Sequence, residues 1–189
     1  MIFLFEWVIR GIRFRLCFSF PAVISLTCLL GSDSVKMLIM LACCCLHETG
    51  HIAAMLMCGC KPEGITFYGG GIRLVPCKRM NGFSQEAFIL SAGCAVNFML
   101  AFLSCVICKK LTFFAQVNLL LGGFNLLPVG YLDGGRLIDL LLAGRGARAI
   151  KIVFALLVAL LAAAAVYKGR VSVSLVCVLA YMCVSIFAS

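Results

Sequence analysis

The stretch CCCLHETGHIAAMLMCGC, residues 43–60, lies in an apolar run and holds the chain's only two histidines, His47 and His51. Glu48 sits between them. Ionisable groups inside an apolar span are costly and usually mark function. Residues four apart share one face of a helix, so His47 and His51 offer two ring nitrogens to a common point. A metal ion at that point is the partner that makes the cluster tolerable. Glu48, next to the first histidine, then reaches a water on that ion. Zinc suits such a set, because it accepts imidazole and keeps an open position in catalytic sites.

Working outward, the chain has 189 residues, 64% of them hydrophobic and 12% charged. Soluble domains are roughly half apolar and about a quarter charged. The expected fold is therefore an all-α polytopic membrane protein, a single membrane-embedded domain over 1–189 with its core at about 37–140. Runs approaching the roughly 20 residues that cross a hydrocarbon core occur near 16–32, 37–59, 84–108, 111–128, 150–167 and 171–188. These predict about six transmembrane helices. Glu6 and three arginines interrupt the first fifteen residues. They argue against a cleavable signal peptide and for an amphipathic segment in the membrane interface.

The net charge of +9 does not point to nucleic acid. With six spans, eleven of the sixteen Lys and Arg residues fall on the side that carries both termini, and five on the other. This asymmetry places both termini in the cytoplasm, with the bilayer itself as a partner. Most of the thirteen cysteines lie in apolar runs, where they read as small packing residues. Cys58 and Cys60 have metal-ligand spacing, but no second pair completes a site around them.

The interval 60–83 is the longest polar one and contains GITFYGGGIRLVP. Ile65 and Phe67 alternate with polar or small neighbours, as do Ile72 and Leu74, with Gly69, Gly70 and Gly71 between. That pattern predicts a short membrane-associated hairpin or strand.

Two histidines leave a catalytic zinc one protein ligand short. The candidates include Asp133 and Asp139 in FNLLPVGYLDGGRLIDLLLAG. Pro128 and Gly130 break a helix before Asp133, and Gly134 and Gly135 let the backbone approach another element. An ion pair with Arg136, three residues earlier, accounts for Asp139. Spacing favours Asp133 and leaves Asp139 open.

HETGH in one span, followed by NLLPVGYLDGG after a later one, resembles the site-2 protease family of intramembrane zinc metalloproteases. Asn125, Pro128, Asp133 and Gly134 match its N-x-x-P-x-x-x-x-D-G pattern. SAGCAVN, Ser91 to Asn97, is similar to its A-G-P-x-x-N segment, with Cys94 where proline is common. The resemblance implies one Zn2+ held by His47, His51 and Asp133, with Glu48 as general base. It implies cleavage of a membrane-associated protein.

Asn97 and Asn125 then become candidate donors to the oxyanion or the substrate, although Asn also serves helix–helix contacts in membranes. Gly71, Ile72 and Leu74 become candidates for an edge strand that holds substrate extended. Six short spans, with the metal-binding one second, look most like the stage IV sporulation protein FB branch. That branch implies a pro-sigma factor substrate and a membrane subunit that restrains the enzyme. The sequence shows no PDZ domain and no nucleotide-binding domain. Two rival readings are a membrane metal carrier using the same ligands and a catalytically silent relative.

Overall fold

The structure is a computed structural model that describes residues 3–9, 11–30, 33–68, 71–75, 82–130, 132–142 and 146–167. Side chains of 26–30, 73 and 161–167 are outside that description. The span expected at 171–188 also lies outside it. The elements are β1 (Phe3–Ile9), β2 (Ile12–Cys17), α1 (Ser19–Leu30), α2 (Ser34–Met57), β3 (Gly64–Tyr68) and β4 (Gly71–Val75). Then follow α3 (Phe83–Cys108), α4 (Phe113–Asn125), α5 (Asp133–Leu141) and α6 (Ala147–Tyr167). The chain divides into two compact units, Met1–Gly123 and Phe124–Ser189.

In the first unit, four strands form one sheet in the order β1-β2-β3-β4. The N-terminal segment, for which the sequence suggested an amphipathic interfacial element, contributes β1 and β2. They make a hairpin, with Gly11 at φ +84° in its turn. Cross-strand pairs hold it: Trp7 stacks on its partner Phe14 with ring centroids 5.8 Å apart, and Arg15 meets its partner Glu6 at 3.1 Å. Such pairs are the units of sheet stabilisation. β2 then runs parallel to β3, and β3 pairs antiparallel with β4, with Phe67 opposite Ile72 and Ile65 opposite Leu74. The hairpin expected at 64–76 is present, and β4 forms one edge of the sheet.

Helix α2 starts at Asp33, whose carboxylate accepts the Lys36 backbone N–H at 3.1 Å. That side chain satisfies one of the orphan donors of the first turn. The buried residues of α2 are Cys43, His47, Gly50, His51, Ala54 and Met55, a stripe at helical spacing. It faces a matching stripe on α3 that includes Ile89, Gly93, Asn97 and Ala101. The two helices pack closely, because a Cβ on Gly50 would stand 2.8 Å from the Ala92 carbonyl oxygen. Small residues at such crossings let helix backbones approach where hydrophobic burial provides little drive.

On their outward faces α2 and α3 expose Leu38, Met40, Met57, Phe102, Val106 and Ile107. They have 24 and 26 residues, and among the described residues they are the two long and apolar enough to cross a membrane. At 1.5 Å per residue they reach past the roughly 30 Å of a hydrocarbon core. The span expected at 111–128 appears as a helix of 13 residues, α4, that ends at Asn125. Pro128 disfavours helical geometry in the residue before it, which limits how far the helix can run.

In the second unit, α5 is a helix that hydrophobic run length alone did not predict. Between Asn125 and α5 the chain folds on itself: Val129 N–H donates to the Leu127 carbonyl and Leu132 N–H to the Val129 carbonyl. Val129 and Leu132 are buried with Leu127, Phe154 and Val158 around them. Asp139 pairs with Lys151 of α6 at 2.6 Å, not with Arg136. The reason is burial. Lys151 is 8% exposed whereas Arg136 is exposed, and a buried ammonium requires a counter-charge.

Candidate metal centre

His47 and His51 are one turn apart on the buried stripe of α2, 5% and 7% exposed. Each ring is held from behind through its Nδ1 atom. His47 Nδ1 lies 2.7 Å from Asn97 Oδ1, and His51 Nδ1 lies 2.7 Å from the Ile89 carbonyl oxygen. Both partners belong to α3. A carbonyl oxygen only accepts, so His51 must carry its proton on Nδ1, and its Nε2 presents a lone pair. The same holds for His47 when Asn97 turns its oxygen toward it.

The two Nε2 atoms are 3.2 Å apart, with the ring planes at 82°. With both protons on Nδ1, neither Nε2 has a hydrogen to give the other. A cation resolves the conflict between the two lone pairs. With zinc–nitrogen bonds of about 2.0–2.1 Å, tetrahedral geometry puts two ligand nitrogens about 3.3 Å apart. The observed spacing fits that requirement. Ligating histidines characteristically donate the other ring N–H to a carbonyl or carboxylate, which fixes tautomer and ring orientation.

Gly93 makes room for this pair. A Cβ there would collide with His51 Nε2 and would stand 2.7 Å from His47 Cε1. The glycine of the SAGCAVN segment is therefore the floor beneath the two imidazoles. Asn97, four residues on and fully buried, also donates from Nδ2 to Asn118 Oδ1 at 3.0 Å. Asn118, on α4, was not singled out in the sequence. The available signal was an amide in an apolar run, spaced with Ala115 and Gly122 on the buried face of α4.

Glu48 follows His47 on α2 and is half-buried. Asn125 is the last residue of α4 and Asp133 the first of α5, both half-buried. Asp133 stands in the first turn, where the helix dipole favours a negative charge. Gly134 and Gly135 are buried against the chain just before them, and a Cβ on either would overlap the backbone carbonyl of Leu126 or Val129. The start of α5 is thus pinned to the loop that follows α4. Gly71, Ile72 and Leu74 are half-buried in β4, a strand that lies against α2.

A helix-borne His-Glu-x-x-His with both imidazoles fixed through Nδ1 is an arrangement suited to holding a metal ion. Residues 106–164 match the model of peptidase family M50. The chain is 30% identical over 183 residues to proteins named "Putative zinc metalloprotease Rip3" in two strains of Mycobacterium tuberculosis. That match covers 85% of this chain, and the chain spans about half (46%) of the length of those relatives. A solved structure described as a site-2 protease from Methanocaldococcus jannaschii superposes with a TM-score of 0.65 at 22% identity, covering 99% of this chain and 94% of that one. The fold is that of the site-2 protease from Methanocaldococcus jannaschii.

Proposed function

We propose that this chain is an intramembrane zinc metalloendopeptidase that cleaves a membrane-associated protein. The observation that carries the reading is the pair of Nε2 atoms 3.2 Å apart, each on a ring hydrogen-bonded through Nδ1, with Glu48 adjacent. The family resemblance adds Asp133 to His47 and His51, and two imidazoles with one carboxylate make a donor set that could hold one metal ion. Zinc, when bound, would polarise a carbonyl oxygen and bring the pKa of a coordinated water to about 7. Glu48 takes the proton from the attacking water and delivers it to the leaving amine. Asn125 donates a hydrogen bond to the substrate backbone near the scissile bond, and Asn97 holds His47 in register.

A transmembrane helix hides its peptide bonds in its own hydrogen bonds, so cleavage requires an extended substrate. Gly71, Ile72 and Leu74 supply the edge to which an unwound segment adds as a further strand. The non-helical stretch between Asn125 and Asp133 suits a wet cavity, the one setting where irregular backbone is tolerated at membrane depth. The wider reading is a multi-pass membrane protein with both termini in the cytoplasm, resting on the apolar runs and the charge asymmetry, in a bacterial cell membrane, resting on the family resemblance. The narrower one, a pro-sigma factor as substrate and a restraining membrane subunit, rests on the family resemblance alone.

A metal carrier using the same ligands leaves Glu48 without a task, and a silent relative would be expected to lack a ligand or the base. Glu48→Gln separates these readings. Presented with a tagged single-span substrate in proteoliposomes, it should lose roughly 10²–10⁴-fold in cleavage, the range for a missing general base. Equal cleavage by wild type and variant would sink the mechanism. Zinc transport unaffected by Glu48→Gln, with no cleavage by either, would establish the carrier.

A further inference from the structure

The hydrogen bond between His47 and Asn97 does not by itself fix which way round it is made. An asparagine amide can turn its oxygen or its nitrogen toward a ring. If Asn97 offered Nδ2, His47 would have to accept on Nδ1 and carry its proton on Nε2, where a metal must bind. Something must set the direction, and the two buried amides supply it.

Asn118 is 0% exposed and makes three contacts, one of them, to a backbone carbonyl, of fixed polarity. Its Nδ2 lies 2.9 Å from the Phe114 carbonyl oxygen and 3.1 Å from Cys43 Sγ, and its Oδ1 lies 3.0 Å from Asn97 Nδ2. A backbone carbonyl cannot donate, so Phe114 requires the nitrogen of Asn118 on its side. The oxygen of Asn118 is thereby turned to Asn97, which must answer with Nδ2. The oxygen of Asn97 then faces His47, whose Nδ1 must carry the proton. His51 reaches the same state in one step through the Ile89 carbonyl. Gly122 permits the arrangement, since a Cβ there would crowd Asn97 Cβ at 3.2 Å and the Phe98 ring at 3.1 Å.

We infer that Asn118 is a positioning residue that sets the tautomer of His47 through Asn97, its own direction fixed by the Phe114 carbonyl. The inference rests on the proposed reading that His47 is a metal ligand. It goes beyond that reading in assigning metal readiness to an α4 residue that touches neither metal nor substrate.

The chain has two histidines, so selective ¹⁵N-histidine labelling gives a spectrum with two rings to read, assigned with His51→Gln. In the zinc-free chain in detergent near pH 8, both rings should show the Nδ1–H tautomer. Asn118→Leu should move His47 toward Nε2–H, leave His51 unchanged, and weaken zinc binding in chelator competition by roughly 10–100-fold, the usual effect of losing such a support. Asn118→Asp should retain both the tautomer and the affinity. Its buried carboxyl, protonated, donates to Phe114 and accepts from Asn97.

His47 found as Nε2–H in the wild type would overturn the inference without any variant. So would a folded Asn118→Leu chain with unchanged tautomer and affinity, or equal losses in both variants, which would reduce Asn118 to packing. If Asn118→Leu does not fold, the wild-type spectrum and Asn118→Asp still decide. A wild type with both tautomers as expected that binds zinc yet cleaves nothing would count against the protease reading while supporting the role of Asn118.

Discussion

Asn97 Oδ1 stands 2.7 Å from His47 Nδ1, joining the centre of α3 to the turn of α2 that carries both histidines. The contact is fully buried on the asparagine side. Asn97 was a candidate for the oxyanion or the substrate, and its side chain is engaged at both ends, by His47 through oxygen and by Asn118 through nitrogen. Its place in the structure is between the His47 ring and Asn118.

Gly93→Ala should disable the centre while preserving most of the fold. The added methyl would stand within 3 Å of His47 Nε2, and neither helix can retreat where Gly50 meets Ala92. Overpacking of this kind costs about 1–3 kcal/mol. Zinc affinity should fall at least about tenfold, in line with the loss of ligand orientation. Isothermal titration of the purified chain with zinc checks this; wild-type affinity would mean that the imidazoles are not confined by α3.

Gly134→Ala or Gly135→Ala should act on the second unit. Each methyl meets a backbone carbonyl and not a flexible side chain, so the start of α5 must shift. Each should destabilise by about 1–3 kcal/mol and lower zinc occupancy by moving Asp133. Thermal unfolding followed by zinc analysis tests both effects. Unfolding curves identical to wild type would show that the turn before α5 is looser than described.

Ile72→Pro removes an N–H from β4 and should damage cleavage much more than folding, because proline is tolerated at sheet edges. Cleavage rate and melting temperature measured on the same preparation distinguish the cases. Parallel losses in both would mean that β4 serves the fold and not the substrate.

A pH effect follows from the cap of α2. The hydrogen bond and ion pair with Lys36, 2.9 Å from Asp33, hold the Asp33 carboxyl below its usual value of about 3.8. A depressed folded-state pKa contributes stability above the unfolded value and loses it as pH falls through the folded one. Asp33→Asn keeps a capping oxygen and removes the charge. Its melting temperature should lie slightly below wild type at neutral pH, and the gap should close as the pH falls through the depressed folded-state value. A gap that widened in acid would contradict the assignment.

Much of this was legible in local pattern. The four-residue spacing of His47 and His51, the helix breaker at Pro128 and the alternation around Gly71 are properties of short segments, and the structure expresses each. What was not legible depends on distant partners. Ile12, Phe14 and Leu16 alternate with Arg13 and Arg15, a strand signal masked by reading the arginines as interfacial; β2 gains its place only by pairing parallel with β3, some fifty residues on. Asp139 had a cation three residues away, yet it pairs with Lys151 because burial, which the sequence does not display, decides which cation needs it. Asn118 looked like any amide in an apolar run until α4 met α3.

The most direct test is zinc content per chain, by atomic emission, for wild type, Glu48→Gln and Asp133→Ala purified side by side. The account predicts about one zinc in wild type and in Glu48→Gln, and a strong loss in Asp133→Ala, because two imidazoles alone leave the ion one protein ligand short. Full occupancy in Asp133→Ala, or loss of zinc in Glu48→Gln, would contradict the division of these residues into ligands and base.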